Sequence, residues 1–291
     1  MKNHVMGATI GRILLMEAAF LVPPMALCLW DGEGRNARAF LWAIGLCAAA
    51  GAVLCAFGRR SAGRGGFAAQ TGFVTVALAW VAISVFGAMP FWLSGAIPYF
   101  VDALFETVSG FTTTGASILS DVEVLGRGML YWRSFTHWLG GMGILVFTLA
   151  IVNMDKNAGT MNLMRAESPG PSVGRFTPRL GQTARILYAI YFAMTVLCVL
   201  FLLAGGMPLF DSLCTGGFGI KNDSMASYSP YLQNVCTVFM LLFGVNFNVY
   251  YLLLLRRFAR ALRDEEVLWY FGVFFAAGLA IAWNIRPMME S

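Results

Sequence analysis

Two short segments carry the residues with the most chemistry to offer. One is Thr112, Thr113, Thr114 and Gly115; the other is Thr215, Gly216, Gly217 and Phe218. Neither contains a nucleophile–base pair or a metal-ligating cluster. What they offer is oxygen, from threonine hydroxyls and from the peptide carbonyls of a glycine-containing turn. A chain that runs extended through such a segment leaves its carbonyls unpaired, and rings of carbonyls can replace a cation's hydration shell. Hard oxygen ligands suit a hard cation, not a soft metal. Glycine lets a carbonyl turn toward an axis without a Cβ clash. The hydroxyls either add ligands or tie the loop to the helix before it. A Thr-Gly turn alone is also common in plain extracellular loops, so the argument depends on what surrounds each segment.

The first segment ends an apolar stretch that begins at Ile97 and Pro98. It runs for about 13 residues, too short to cross a bilayer and too apolar for a free loop, which suits a re-entrant helix. Pro98 fits the first turn, where a missing N–H does no harm. Asp102 and Glu106 lie in the first half, where carboxylates are better tolerated, and Gly110 suits a helix stop. Pro208, Phe210, Asp211 and Leu213 repeat the pattern before Thr215. A helix dipping in from the outer face would aim its negative C-terminal end at the interior. Irregular backbone at that depth is tolerated only where it lines a protected or water-filled path. The expected element is one for cation permeation.

The chain around these segments is that of a membrane protein. Of its 291 residues 58% are apolar and 12% charged, with a mean hydropathy of +0.70. A soluble domain carries about a quarter charged residues. This excludes a soluble enzyme, a disordered tail, a coiled coil and a disulfide scaffold. Seven stretches are long and apolar enough to span: 10–30, 39–57, 67–93, 132–152, 184–204, 231–255 and 267–285. The alternation of a membrane barrel is absent. The expected fold is an all-α polytopic membrane protein with about seven transmembrane helices and two re-entrant pore loops.

The order is read as an internal repeat. Residues 1–66 form two extra helices, 67–152 the first helix–pore loop–helix repeat and 153–183 a cytoplasmic linker. Residues 184–256 form the second repeat and 257–291 the incomplete start of a third. Two copies of like orientation imply a pseudo-rotation axis along the membrane normal. Basic residues concentrate on one side, among them Arg59, Arg60, Arg64, Lys156, Arg165, Arg256 and Arg257, which places the N-terminus in the cytoplasm. The other side holds fewer, counted to include Arg127 and Arg133. The net charge of +5 is scattered between apolar runs, so no nucleic-acid partner is expected. Six cysteines without a CxxC pair support neither a disulfide framework nor a zinc site. Pro23 and Pro24 interrupt the first apolar run and no small-x-small site follows, so it reads as a retained span.

Other residues have two readings each. Glu17 inside the first span is a functional candidate, or it snorkels and pairs with Arg12 near the inner face. His137 is a proton relay or a packing histidine. Gly140, Gly141 and Gly143 make a hinge or a close helix contact. Asn246 and Asn248 face a pathway or bridge helices. Arg256, Arg257 and Arg260 dock a partner or anchor the chain. No Ser/His dyad, paired intramembrane aspartates or HExxH occurs in the spans, so an enzyme is not expected.

Read together, LFETVSGFTTTGAS at 104–117 resembles the first pore loop of the Trk/Ktr/HKT potassium transporter superfamily. WRSFTHWLGGMG at 132–143 is similar to the helix that follows that loop. ESPGP at 167–171, PRL at 178–180 and TARILY at 183–188 resemble the linker and next helix of the TrkH branch, with TGGF at 215–218 resembling the second filter loop. The resemblance implies potassium uptake across the plasma membrane through four such repeats around one pathway. Gly115 and Gly217 match two of its filter glycines. It further implies a homodimer with a cytoplasmic nucleotide-binding regulatory subunit; the chain itself has no nucleotide motif and no cofactor beyond transported potassium. Two departures bear on this. Only two complete repeats are present, which reads as truncation after about two and a half. Asp102 precedes Gly115 by thirteen residues but Asp211 precedes Gly217 by six, shortening the second pore helix by roughly 10 Å. Two further readings follow: a truncated, non-conducting paralogue that assembles with full-length subunits, and two chains pairing to supply four loops.

Overall fold

A computed structural model describes residues 2–59, 69–143, 180–214 and 219–289, and every regular element among them is helical. Helices α1 (Lys2–Phe20) and α2 (Val22–Trp30) make the first span. Pro23 and Pro24 cannot donate to the ladder, yet Leu21 stays helical and its N–H still reaches Glu17 O at 3.0 Å. Gly32 turns the chain at φ +75° into α3 (Gly34–Arg59). α1 and α3 cross in backbone contact. A Cβ on Gly11 would stand 2.6 Å from Gly51 O, and one on Gly51 2.8 Å from Gly11 O. Without a hydrophobic force between helices in lipid, such small-residue crossings let dispersion do the packing.

Next come α4 (Ala69–Ser94), α5 (Phe100–Phe111) and α6 (Arg127–Met142). These six helices share one interior, filled by Ile13, Leu14, Phe40, Ile83, Phe91, Phe111, Trp132 and Leu139. Aromatic side chains such as Trp30, Trp42 and Phe57 point outward, as lipid-facing residues do. The expected fourth span, 132–152, is described only as far as Gly143, where φ is +81°.

The remaining helices are α7 (Leu180–Ala204), α8 (Leu209–Cys214), α9 (Pro230–Gly244), α10 (Phe247–Leu254), α11 (Phe258–Leu262) and α12 (Glu265–Met289). They pack in three smaller clusters. α8 has six residues, the short helix that the Asp211–Gly217 spacing requires. The expected sixth span is two helices, not one. Val245 is extended at ψ 140° and breaks it. Side chains brace the break: Tyr270 Oη donates to Leu241 O at 3.1 Å, and Tyr250 Oη joins the Val245 N–H on Leu242 O. Asn246 bridges helices, donating to Glu266 Oε2 at 2.9 Å. Among the described residues, five helices are long and apolar enough to cross a membrane.

Candidate ion-binding loop

The first loop is built on α5. Its buried residues Ala103, Glu106, Thr107, Gly110 and Phe111 fall at helical spacing and form the face turned to α4 and α6. Phe111 ends the helix wedged edge-on between Trp80 and Trp132, each ring centroid 6.3 Å away. Trp132 Nε1 donates to Gly87 O at 2.9 Å, fixing α6 to α4 beside it. Gly140 of α6 lies against the Phe111 carbonyl so closely that a Cβ would collide with it. Gly141 meets Tyr191 of α7, whose hydroxyl donates to Trp138 O at 3.0 Å. The glycine cluster is thus a packing surface here.

Beyond Phe111 the chain folds back on its own helix. Thr112 donates its N–H and its hydroxyl to Val108 O, at 2.8 and 2.7 Å. A hydroxyl has one proton, so in the 2.8 Å contact between the Thr112 and Thr114 hydroxyls Thr114 is the donor. The N–H groups of Thr113 and Thr114 reach Gly110 O and Ser109 O. Thr113 and Gly115 are both left-handed, at φ +56° and +76°. Glycine adopts this freely; a β-branched residue does so at about 1–2 kcal/mol, offset by these bonds. The carbonyls of Thr112, Thr113, Thr114 and Gly115 accept no hydrogen bond among the described residues. Four successive peptide oxygens are thus unpaired among the described residues.

The return limb is held by Glu106. Its carboxylate accepts from Ser117 Oγ at 3.0 and 3.1 Å and from Ile118 N at 3.0 Å. Ser109 Oγ adds a bond to Ala116 O at 2.6 Å. Glu106 is 1% exposed and ion-paired with Arg133, itself 4% exposed, through Arg133 Nε. Arg133 Nη1 also donates to Gly219 O at 3.0 Å. Gly219 directly follows the second segment; the expected ligands Thr215, Gly216, Gly217 and Phe218 themselves lie outside the described residues. The two connecting segments are tied a second time by Asn222. It accepts from Val122 N at 2.8 Å, donates from Nδ2 to Asp121 Oδ1 at 2.9 Å and from its N–H to Glu123 Oε1 at 3.1 Å. The Asn222 amide, then the Glu123 N–H, hold the exposed Asp121 carboxyl below the ordinary aspartate range. Tyr228 donates to Asp211 Oδ2 at 3.1 Å, and desolvation together with that carboxylate pushes its hydroxyl up to about 12.

Two sequence expectations change. Arg133 is not a loop charge: it is buried inside α6 as the partner of the α5 carboxylate Glu106. Opposite charges set in two adjacent apolar runs were the available signal, and the carboxylate's position near a helix start hid it. Glu17 neither snorkels nor pairs with Arg12, which is exposed. Glu17 is 1% exposed; Cys47 Sγ lies 3.7 Å from its Oε2, and its Oε1 has no partner. His137 is buried on α6, one turn beyond Arg133, and the side chain of Asn248 lies outside the described residues.

A family model, TrkH, described as a cation transport protein, matches residues 38–272. The Trk system potassium uptake protein TrkH of Halomonas elongata is 34% identical over 293 residues, covering 97% of this chain and 60% of that protein. TrkG of Escherichia coli is 32% identical over 300 residues, covering 98% and 60%. The crystal structure of the potassium transporter TrkH from Vibrio parahaemolyticus matches with a TM-score of 0.71 at 26% identity, over 86% of this chain and 52% of that one. The chain spans about 60% of the length of these curated relatives. With apolar helices of membrane-crossing length and a family match over most of its residues, this multi-pass membrane protein belongs to the TrkH family of cation transport proteins.

Proposed function

We propose that the chain serves potassium uptake as an ion-translocating subunit of a Trk-type system, with the carbonyls of Thr112–Gly115 as cation ligands. One observation carries this reading: four consecutive carbonyls without hydrogen-bond partners among the described residues, on a loop whose two limbs are each tied to the same helix. Residues 112–115 are exposed, so these oxygens are open to a ligand from outside the protein, and a set of carbonyls of this kind can replace a cation's hydration shell. The length of α5 agrees. Its 12 residues reach about 18 Å, short of a hydrocarbon layer of roughly 30 Å, which is the length expected of a helix that stops inside the layer. Thr112 spends its proton on the helix, which assigns it to holding the loop and leaves the carbonyls as ligands. The names of the relatives point to potassium. The N-terminus on the cytoplasmic side of the plasma membrane, a homodimer and a cytoplasmic nucleotide-binding regulatory subunit belong to the same reading.

The test is growth of a potassium-uptake-deficient strain on low potassium. The chain should rescue growth, and Gly115→Asp should abolish the rescue at unchanged membrane abundance, because it places a Cβ and a charge at φ +76°. A wild-type chain that inserts stably but never supports uptake, alone or with full-length subunits, overturns the reading. Co-purification with such subunits then favours the non-conducting assembly partner.

A further inference from the structure

We propose that Arg133 is the positioning residue that sets discrimination between potassium and sodium, by holding the loop at Thr112–Gly115 at a fixed separation from Gly219. This rests on the permeation reading above. A carbonyl site distinguishes two alkali cations through the arrangement and field strength of its oxygens, so whatever fixes that arrangement fixes selectivity. In the first loop the limb after Gly115 hangs on Glu106 through Ser117 and Ile118. Glu106 in turn is gripped by Arg133 Nε. The other arm of the same guanidinium holds Gly219 O, at the exit of the second loop. A guanidinium is planar and rigid, with donors at fixed angles. The spacing between the two anchor points is therefore set by covalent geometry and not by soft packing.

Stability gives no sufficient reason for such a group. A buried ion pair is matched or bettered by well-packed apolar residues of the same volume, and its best-attested use is to specify register. The pair is nearly inaccessible, at 4% and 0% side-chain exposure, so it makes no contact with passing ions. Asn222 ties the outer ends of the same two loops independently. Loss of the guanidinium therefore leaves the loops joined but not registered. Lysine keeps the charge and can answer Glu106, yet its single ammonium cannot serve both anchors in the same fork.

The experiment uses the full chain, with potassium chloride and sodium chloride as probes. Thermal stabilisation of the purified protein by each salt gives a binding preference, and competition of sodium against rubidium uptake in cells gives a transport preference. Both are ratios and do not depend on how much protein is made. Arg133→Lys should lower the potassium-over-sodium ratio about tenfold while membrane insertion is retained, and Asn222→Ala should leave the ratio within about twofold. Should Arg133→Lys fail to accumulate, the Glu106→Gln/Arg133→Gln double variant, which keeps shape without charge, decides in the same way. A wild-type ratio in the deciding variant overturns the proposal alone. Failure of both to insert also overturns it, since the pair then serves folding. A wild-type chain with neither cation-specific stabilisation nor uptake overturns the permeation reading, and this proposal with it.

Discussion

Breaking the Glu106–Arg133 pair from one side should be worse than removing both charges. Arg133 and Glu106 have side-chain exposures of 4% and 0%. Glu106→Gln leaves a buried guanidinium without its counter-charge, and Arg133→Gln leaves a buried carboxylate without its cation. Each should destabilise the protein by about 3–5 kcal/mol. The double glutamine variant keeps both volumes and buries no charge. It still offers an amide oxygen to Ile118 N and an amide N–H to Gly219 O, so it loses about 2 kcal/mol of charge-assisted bonding. The double variant is thus expected to be more stable than either single one, with a coupling energy of several kcal/mol and opposite in sign to additivity. Equilibrium unfolding of the detergent-purified protein, wild type and the three variants side by side, measures it. A double variant as unstable as the two single losses combined would refute the reasoning, because the two charges would then not be compensating one another.

Gly140→Ala places a methyl against the Phe111 carbonyl, which is backbone and cannot swing aside. It should destabilise by about 1–3 kcal/mol and lower uptake through displacement of the end of α5, read by thermal melting and rubidium flux. Glu17→Met removes a buried carboxyl with an orphaned oxygen, while Cys47 Sγ keeps its bond to Leu14 O at 3.1 Å. It should raise stability by about 1–3 kcal/mol; a lowered melting temperature counts against the description of that site. Asp121 binds its proton less readily when folded than when unfolded. Its contribution is therefore present above the unfolded aspartate value of about 3.9 and is lost as pH falls through the lower folded value. Asp121→Asn should flatten that acid limb in a melting-temperature profile, and an unchanged limb excludes the Asn222 contact as its source.

What the sequence makes legible is whatever depends on spacing along the chain. The short apolar stretch around Asp102 and the threonine–glycine turn after it are local signals, and a helix followed by a turn stands where they mark one. The six-residue α8 follows from the same counting. What stays hidden depends on which helices become neighbours. Arg133 looks like a loop charge because it sits at the edge of an apolar run; only the packing of α6 on α5 buries it. Glu17 looks paired with Arg12 because the two are close in sequence. They point to different sides of α1, and Gly87 leaves room for the carboxyl on the inner one. The break at Val245 is hidden because Val245–Asn246 carries no proline, and the bonds that accommodate it come from Tyr250 and Tyr270, 8 and 29 residues beyond the carbonyls they reach.

The order in which these helices leave the ribosome gives the buried pair a history. The crossing of α1 and α3 through Gly11 and Gly51 needs only the first 59 residues, so the wall on which α4 packs precedes α4, and α4 in turn precedes α5. Glu106 is then synthesised 27 residues ahead of Arg133. At translation rates of about 5–20 residues per second, the acid waits on the order of seconds for its base. During that interval a lone carboxylate must be sheltered by water, by the translocon or by a proton. A pause in elongation between the two codons would lengthen the most exposed moment in the birth of this protein.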